Sequence, residues 1–279
     1  QEVFDEIKAR CSGKGARIIA DTNPDHPEHW LLKDYIKSGA SGILSNHFSL
    51  DDNTFLDERY VREIKSTTPK GMFYDRGVKG LWVSGDGVVY PQFDRQKHSI
   101  TADQAQRINF DRIIAGVDWG WEHYGAIVVI GVKGPYYCVI EEDATKHRYI
   151  EKWIEAAKGV IARYGNIPFY CDPARPEHVA AFQGAGIRAY LANNRVLSGI
   201  EAVATLMQNN LFQIVYDECP RFREEIFKYI WKKNSAEPLK EMDDVLCAIR
   251  YGIYSDMTVS GNPDQEKQMN RAKKLKGMI

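Results

Sequence analysis

The sequence predicts an α/β fold in which a mixed β-sheet is flanked by helices. Between residues 111 and 256, apolar runs of strand length alternate with apolar positions at helical spacing, a pattern typical of sheets covered by helices. Asp118 and Asp172 each end an apolar run, and Asp243–Asp244 opens another. We therefore expect carboxylates from two strands and one helix to lie close together.

Residues 1–80 are predicted to form a separate region. Val3–Ile7 has helical spacing, Ala16–Asp21 is predicted as a short buried strand, and helical spacing resumes from Trp30. The segment Asp21–Asp25 has turn chemistry, because Asn and Asp bond their own backbone and Pro fixes φ. No Gly-x-x-x-x-Gly-Lys phosphate loop occurs in the chain, so phosphate binding of that kind is not expected from it.

A β-hairpin is predicted at the start of the next region, which spans residues 81–256. Leu81–Val83 and Val88–Tyr90 are strand-like and flank the turn sequence Ser-Gly-Asp-Gly. The order of elements is clearer from residue 111 onward. We predict strands ending at 118, over 125–132 and over 136–141, a helix over 147–164, a strand ending at 172, a helix over 176–184, a strand over 188–192, and helices over 198–210 and 243–254.

Composition excludes several classes of protein. The 279 residues carry a net charge of −1, so attraction to nucleic acid would have to come from a local positive field. No apolar run approaches the length of a membrane span, and no partner membrane is expected. The five cysteines show no Cys-x-x-Cys spacing, which favours a reduced cytosolic protein without a zinc site. Residues 257–279 are predicted to be a basic, flexible tail.

The predicted carboxylate cluster has the chemistry of a divalent metal site. Asp118, Asp172 and one or both of Asp243 and Asp244 would supply hard oxygen ligands, which suit Mg²⁺ or Mn²⁺. Two such ions can hydrolyse a phosphodiester bond without a covalent intermediate. Glu142, after the third strand, is a further candidate catalytic residue, and Glu151 on the following helix competes with it.

Basic side chains near the predicted cluster are candidates for contacts with DNA phosphates, which give affinity without sequence reading. The candidates are Arg175, His178, Lys146, His147, Arg148, Arg195, Lys228, Lys232 and Lys233.

The chain resembles the large terminase subunit of tailed bacteriophages, the motor and nuclease that packages DNA. The resemblance rests on the order and spacing of several weak motifs. They are Asp21-Thr22-Asn23-Pro24, Gly80-Leu81-Trp82, Gly87–Phe93, Asp118-Trp119-Gly120, Cys171-Asp172-Pro173-Ala174, Gly199–Val203 and Ala248-Ile249-Arg250-Tyr251. Three antiparallel strands followed by helix, strand, helix, strand and helix is also the order of the ribonuclease-H-like fold.

The resemblance implies a function for each region. Residues 1–80 would be the C-terminal remnant of a P-loop ATPase domain, with Thr22 and Asn23 in its ATPase coupling motif. Residues 81–256 would be a ribonuclease-H-like endonuclease domain that cuts double-stranded DNA. The family also implies ATP as a cofactor of the full-length protein, a portal protein and a small terminase subunit as partners, and a location in the host cytoplasm on the viral procapsid.

One departure from the family pattern leaves alternatives open. Many relatives have an aspartate where this chain has Cys247, so the third ligand is assigned to Asp243 or Asp244 without a choice between them. A domain that only docks DNA or portal is one alternative. Another ribonuclease-H-like enzyme, such as a junction resolvase or transposase, is a second, although the Asp21–Pro24 segment argues against it.

Overall fold

The computed structural model describes residues 2–25, 27, 29–39, 41–233 and 235–260. The chain divides into two compact units, Gln1–Gly87 with Trp231–Pro238 and Val88–Ile230 with Leu239–Ile279. Most of the tail predicted at 257–279 lies outside the described residues. No helix among the described residues combines the length and apolar character that a membrane crossing requires.

The first unit contains short helices. They are α1 (Glu2–Arg10), a π-helical turn (Leu31–Ile36), a 3₁₀ turn (Leu50–Asp52), α2 (Glu58–Thr67) and α3 (Met72–Gly77). Asp57 precedes α2, and its carboxylate accepts hydrogen bonds from the N–H groups of Arg59 and Tyr60 at 2.8 and 3.3 Å. These bonds satisfy two backbone donors that the first turn of a helix leaves free, so Asp57 fixes where α2 begins.

Two predictions of strands are wrong. Ala16–Asp21 forms no strand, and Ile19 is 95% exposed, because a strand needs a neighbouring strand to satisfy its backbone. The hairpin between 81–83 and 88–90 does not form either. Val88 instead forms an antiparallel bridge with Ile230, and the N–H of Val89 donates to the carbonyl of Tyr229 at 2.8 Å. Long-range pairing has overridden the local turn signal.

The second unit contains a seven-stranded sheet with helices around it. Its elements are α4 (Arg95–His98), β1 (Ser99–Ile100), α5 (Ala102–Gln106), β2 (Arg112–Asp118), β3 (Gly125–Lys133), β4 (Tyr136–Thr145), α6 (Ile150–Tyr164), β5 (Phe169–Cys171), α7 (Pro176–Gly184), β6 (Ala189–Leu191), α8 (Val196–Gln208), β7 (Phe212–Val215), α9 (Pro220–Glu225) and α10 (Asp244–Ser260). A 3₁₀ turn, Tyr216–Glu218, links β7 to α9.

The sheet has the strand order β1-β7-β4-β3-β2-β5-β6. Strand β3 pairs antiparallel with both β2 and β4, and the remaining pairs are parallel. The predicted mixed sheet and the order of its main elements are confirmed. The short strands β1 and β7 were not predicted.

The two faces of β2 are covered by different helices. Ala115 and Val117 are buried with Trp153 of α6 and Phe182 of α7. The intervening Gly116 faces α10, where a Cβ on this glycine would lie 1.9 Å from the carbonyl oxygen of Ala248. Because side chains alternate along a strand, Asp118 shares the face of Gly116 and so lies on the α10 side of the sheet.

Candidate active site

Two carboxylates lie at the ends of adjacent parallel strands. Asp118 is the last residue of β2, and Asp172 directly follows β5. The N–H of Asp172 donates to the carbonyl of Val117 at 2.9 Å, which holds the two strand ends together. Asp172 Oδ1 accepts hydrogen bonds from the N–H of Ala174 at 3.1 Å and from the Tyr251 hydroxyl at 3.3 Å. The side chain of Asp172 is therefore oriented by groups on both sides of it.

The acidic pair lies where α10 begins. The N–H of Cys247 donates to the Asp243 carbonyl at 2.7 Å, and its thiol lies 3.5 Å from Asp243 Oδ2. Asp244 turns to another partner, since its Oδ2 accepts a hydrogen bond from Arg221 Nη2 at 3.2 Å. The two adjacent aspartates therefore have different environments, although both lie near the strand ends.

Four aspartates interact electrostatically, and we call them the acidic cluster (Asp118, Asp172, Asp243 and Asp244). Burial raises the pKa of Asp118 well above its usual range, and the charges of Asp172, Asp243 and Asp244 raise it further, while Arg250 opposes the shift. Burial also raises the pKa of Asp243. Mutual repulsion of this kind favours a cation or a proton at the site.

Arg250 supplies a buried positive charge next to the acidic cluster. Its side chain is 3% exposed, and Nη2 lies 3.6 Å from the Cys247 sulfur. Nε and Nη1 are buried without a hydrogen-bond partner among the described residues. The guanidinium lies 4.5 Å from the ring centre of Tyr251, and a Cβ on Gly199 would come within 2.7 Å of Arg250 Cγ. The sequence motif contained Arg250, but no role was predicted for it.

A buried ion pair supports the start of α10, and it was not predicted. Glu225 Oε2 accepts hydrogen bonds from the N–H groups of Val245 and Leu246 at 2.9 and 3.1 Å. Its Oε1 pairs with Arg221 Nε at 2.8 Å, and the same guanidinium reaches Asp244. Burial is the main cause that raises the pKa of Glu225 to about 8. Arg221 and Glu225 thus fix the position of the acidic pair, and only their three-dimensional proximity reveals them.

Glu142 is not part of the acidic cluster. Its Oε1 accepts a hydrogen bond from the N–H of Arg221, and its Oε2 accepts one from the N–H of Phe222 at 3.0 Å. Both oxygens therefore satisfy free backbone donors at the start of α9. The competing candidate, Glu151, is exposed in the first turn of α6. The structure thus assigns Glu142 a capping contact instead of the predicted place beside Asp118.

Two basic candidates after β4, Lys146 and Arg148, differ in whether their charge is already paired. Lys146 is exposed, with Nζ 5.0 Å from the ring centre of Tyr124. Arg148 forms two hydrogen bonds with Asp143, at 2.6 and 2.8 Å, and lies over the Trp153 ring at 4.5 Å. Because its charge is already paired, Arg148 is less suited to phosphate contact than Lys146.

The candidates near β5 and α8 lie at element ends. Arg175 precedes α7 and forms an ion pair with Glu177 at 3.6 Å. His178 lies on α7, edge-on to Trp119 with 5.0 Å between ring centres, and burial lowers its pKa. Arg195 is exposed just before α8. Arg175 and Arg195 therefore remain open to a phosphate at the surface.

The remaining candidates belong to different units. His147 and Lys228 are exposed in the second unit, whereas Lys232 and Lys233 are exposed in the first. Thr22 and Asn23 of the predicted ATPase coupling motif also lie in the first unit, where the Thr22 hydroxyl donates to the Asn23 carbonyl at 3.2 Å. Their role in coupling stays a prediction.

Comparison with known proteins places the chain beside phage terminases. Residues 1–75 match the family model described as phage terminase large subunit. The large terminase of the thermophilic bacteriophage D6E, in complex with ATP-γ-S, superposes with a TM-score of 0.80 at 25% identity, over 90% of this chain and 66% of that one. The ADP complex of the D6E protein gives 0.81 at 25% identity, over 89% and 64%. No curated protein sequence matches the chain.

A second structural match concerns the fold of the sheet. The nuclease domain of the P22 large terminase superposes with a TM-score of 0.51 at 20% identity, over 60% of this chain and 91% of that domain. The sheet is therefore of the ribonuclease-H-like type. The chain spans about 66% of the length of the D6E terminase. The family-model match and the superpositions are similarities of this chain to phage large terminases.

Proposed function

We propose, on the premise that the chain is a phage large terminase subunit, that its acidic cluster is the centre of a metal-dependent DNA endonuclease. The observation that carries the proposal is the placement of Asp118 and Asp172 at the ends of adjacent parallel strands, where the N–H of Asp172 donates to the Val117 carbonyl at 2.9 Å. The four aspartates lie at the ends of two strands and the start of one helix. Because they repel one another, their closeness destabilises the fold. A bound cation would remove that repulsion.

The donor set fits a hard divalent cation. All four members of the acidic cluster offer carboxylate oxygens, which suit Mg²⁺ or Mn²⁺. Among the residues that the structure describes, no three His, Cys, Asp or Glu side chains already surround a common ion position. On the chemistry of the donors, we assign Asp118, Asp172 and Asp243 as the groups that would hold the metal, which requires their side chains to turn toward one point.

Each residue at the site has a separate task in the proposed reaction. When bound, one or two divalent ions supply a nucleophilic water and stabilise the leaving oxygen of a phosphodiester. Asp172 keeps its orientation through Tyr251 and Ala174. The positive charge of Arg250 partly offsets the negative charges of the carboxylates. Lys146 and Arg195 are exposed cations that we expect to contact DNA phosphates. Such contacts do not depend on the base sequence.

The contacts of the acidic pair favour Asp243 as the third ligand. Asp244 is already bonded to Arg221, whereas Asp243 has a pKa raised by burial and lies 3.5 Å from the Cys247 thiol, a weak donor. The thiol borders the cluster, because its sulfur lies 3.5 Å from Asp243 Oδ2. Cys247 therefore occupies a position from which a longer carboxylate would reach the same ions.

A cleavage assay on supercoiled plasmid in Mn²⁺ tests this assignment. Asp243→Ala should lower the rate by about 100-fold or more, since even the outer partners of metal ligands are worth about 10–100-fold. Asp244→Ala should lose about 10-fold through the freed Arg221. Cys247→Ala should retain most activity, and Cys247→Asp should equal or exceed the parent. Full activity of Asp243→Ala together with an inactive Cys247→Ala would contradict the assignment.

A non-catalytic role is the second candidate. Cys247 stands where the resemblance leads us to expect an aspartate, and no three donors converge within the part of the chain that the structure describes. Both observations favour a domain that docks DNA or portal without cutting. The same plasmid assay separates the two functions. DNA binding by the parent without any cleavage in Mn²⁺ or Mg²⁺ would establish the docking role and exclude the endonuclease.

The wider setting follows the same premise. We propose that the protein acts within a DNA-packaging motor in the host cytoplasm, docked on the procapsid, with portal protein and small terminase subunit as partners. We also propose that residues 1–80, which largely coincide with the matched 1–75, belong to an ATPase domain. ATP would then serve the full-length protein, with Thr22 and Asn23 linking its hydrolysis to movement of DNA.

A further inference from the structure

Two large aromatic rings stand exposed together in the second unit. Trp121 is 41% exposed and Tyr149 is 67% exposed. Their ring centres are 4.8 Å apart, with the planes at 67°. The His147 ring lies edge-on to Trp121 at 5.5 Å. We call these three side chains the aromatic platform. Exposed aromatic rings of this kind offer faces on which another planar ring can stack.

Backbone contacts fix the position of the aromatic platform. Trp121 lies in the loop between β2 and β3, and His147 and Tyr149 lie between β4 and α6. The N–H of His147 donates to the Trp121 carbonyl at 3.1 Å, which joins the two loops. His147 has a φ of 53°, a left-handed conformation that a residue with a side chain rarely adopts. Such strain persists where the surroundings require it, often at binding sites.

The loop that carries Trp121 is anchored at the acidic cluster. It leaves β2 at Asp118 and returns to β3, where Ala126 pairs with Asp118. Within it, the Trp119 indole donates to the Asp172 carbonyl at 3.1 Å. A Cβ on Gly120 would meet the Tyr124 backbone at 2.2 Å, so the loop is closely folded on itself. The aromatic platform therefore belongs to the rim of the proposed active site.

The charges around the platform suit a nucleic-acid strand. Lys146 is exposed beside it, with Nζ 5.0 Å from the ring centre of Tyr124. One acid, Glu122, is also exposed in the loop. Exposed cations beside aromatic rings are the usual means of binding single-stranded DNA, because the cations contact phosphates and the rings stack on bases. Every base has a π-face, so this recognition does not depend on sequence.

We propose that an unpaired nucleobase of the DNA strand that enters the acidic cluster stacks on the ring of Tyr149 or Trp121 and packs edge-on against the other ring. The proposal rests on the proposed endonuclease function and deepens it, since it identifies the preferred substrate as DNA with a locally unpaired strand. A base can reach the ring faces only after it has left its own stack. The platform thus selects frayed, gapped or bubble-containing DNA over a continuous duplex.

Binding in chelator tests the proposal without any cleavage. A fluorescent single strand of about 12 nucleotides, within the range that such sites cover, is titrated with the parent and with Trp121→Ala/Tyr149→Ala. A fully paired duplex of the same sequence is titrated in parallel. Tyr136→Ala is the matched control, because Tyr136 is 50% exposed at the opposite end of β4. Thermal melting confirms that each variant is folded.

The expected result is a loss of about 10-fold or more in single-strand affinity for the double variant, in line with the value of base stacking. Its duplex affinity and both affinities of Tyr136→Ala should remain those of the parent. Unchanged single-strand binding by the double variant overturns the proposal, and so does an equal loss on both substrates, which would indicate a general DNA contact. Failure of the endonuclease function shows separately, as absence of plasmid cleavage by the parent in Mn²⁺.

Discussion

Replacing Asp118 with Asn should abolish plasmid cleavage and, at the same time, raise the thermal stability of the protein. Asn keeps the shape of the side chain but removes the charge that the proposed cations require. Loss of metal stabilisation worth several kcal/mol corresponds to a rate lower by about 1000-fold or more. The stability gain has a different cause, because burial and three neighbouring aspartates disfavour the charged form of Asp118 and raise its pKa.

The stability part of this prediction is measured by thermal unfolding in chelator. Relief of about 1 kcal/mol raises Tm by roughly 2–4 °C for a protein of this size. Asp217→Asn is the control, since the Asp217 side chain is 81% exposed and only 3.9 Å from Arg223 in a loose ion pair. It should change neither rate nor Tm. An Asp118→Asn variant that cuts plasmid at the parent rate would show that the site is elsewhere.

Gly116→Ala should cause the largest loss of stability of any single methyl addition to the sheet. The new Cβ would lie 1.9 Å from the Ala248 carbonyl oxygen and 2.9 Å from the Gly252 nitrogen. Both are backbone atoms of α10, so no side chain can rotate away and the helix itself has to move. Overpacking costs about 1–3 kcal/mol and occasionally more, and this contact belongs at the upper end.

Displacement of α10 should also reduce cleavage, because this helix carries Asp244 and directly follows Asp243. Urea unfolding measures the stability change, and Gly159→Ala provides the control. Gly159 lies within α6, where a Cβ would meet only the flexible end of Arg163 at 3.7 Å. That substitution should stabilise the protein by about 0.5–1 kcal/mol through helix propensity. An unchanged urea midpoint for Gly116→Ala would mean that the close approach of β2 and α10 is not a constraint.

The acidic cluster could be predicted because each of its members borders an apolar run. Asp118 and Asp172 follow residues buried in β2 and β5, and Asp244 opens α10. A change from apolar to charged at the end of a strand is visible locally, and neighbouring parallel strands end at the same edge. The same reasoning failed for Glu142, whose carboxylate caps α9, a helix far along the sequence.

Features that depend on distant partners could not be predicted from one sequence. Arg221 and Glu225 gain their importance only because they contact the start of α10. Val88 was predicted to pair within a hairpin, but Ile230 provides its bridge partner. The local preference for a turn is weaker than long-range pairing of the backbone. Ile19 is a different case, because this β-branched residue has no neighbouring strand and stays exposed.

Plasmid digestion in Mn²⁺, in Mg²⁺ and in chelator shows whether the acidic cluster cuts DNA through bound divalent cations. We expect the parent to convert supercoiled plasmid to nicked and linear forms with either metal, without strong sequence preference. We expect no conversion in chelator and none by Asp118→Asn under any condition. Undiminished cutting in chelator, or equal cutting by Asp118→Asn, would contradict this mechanism.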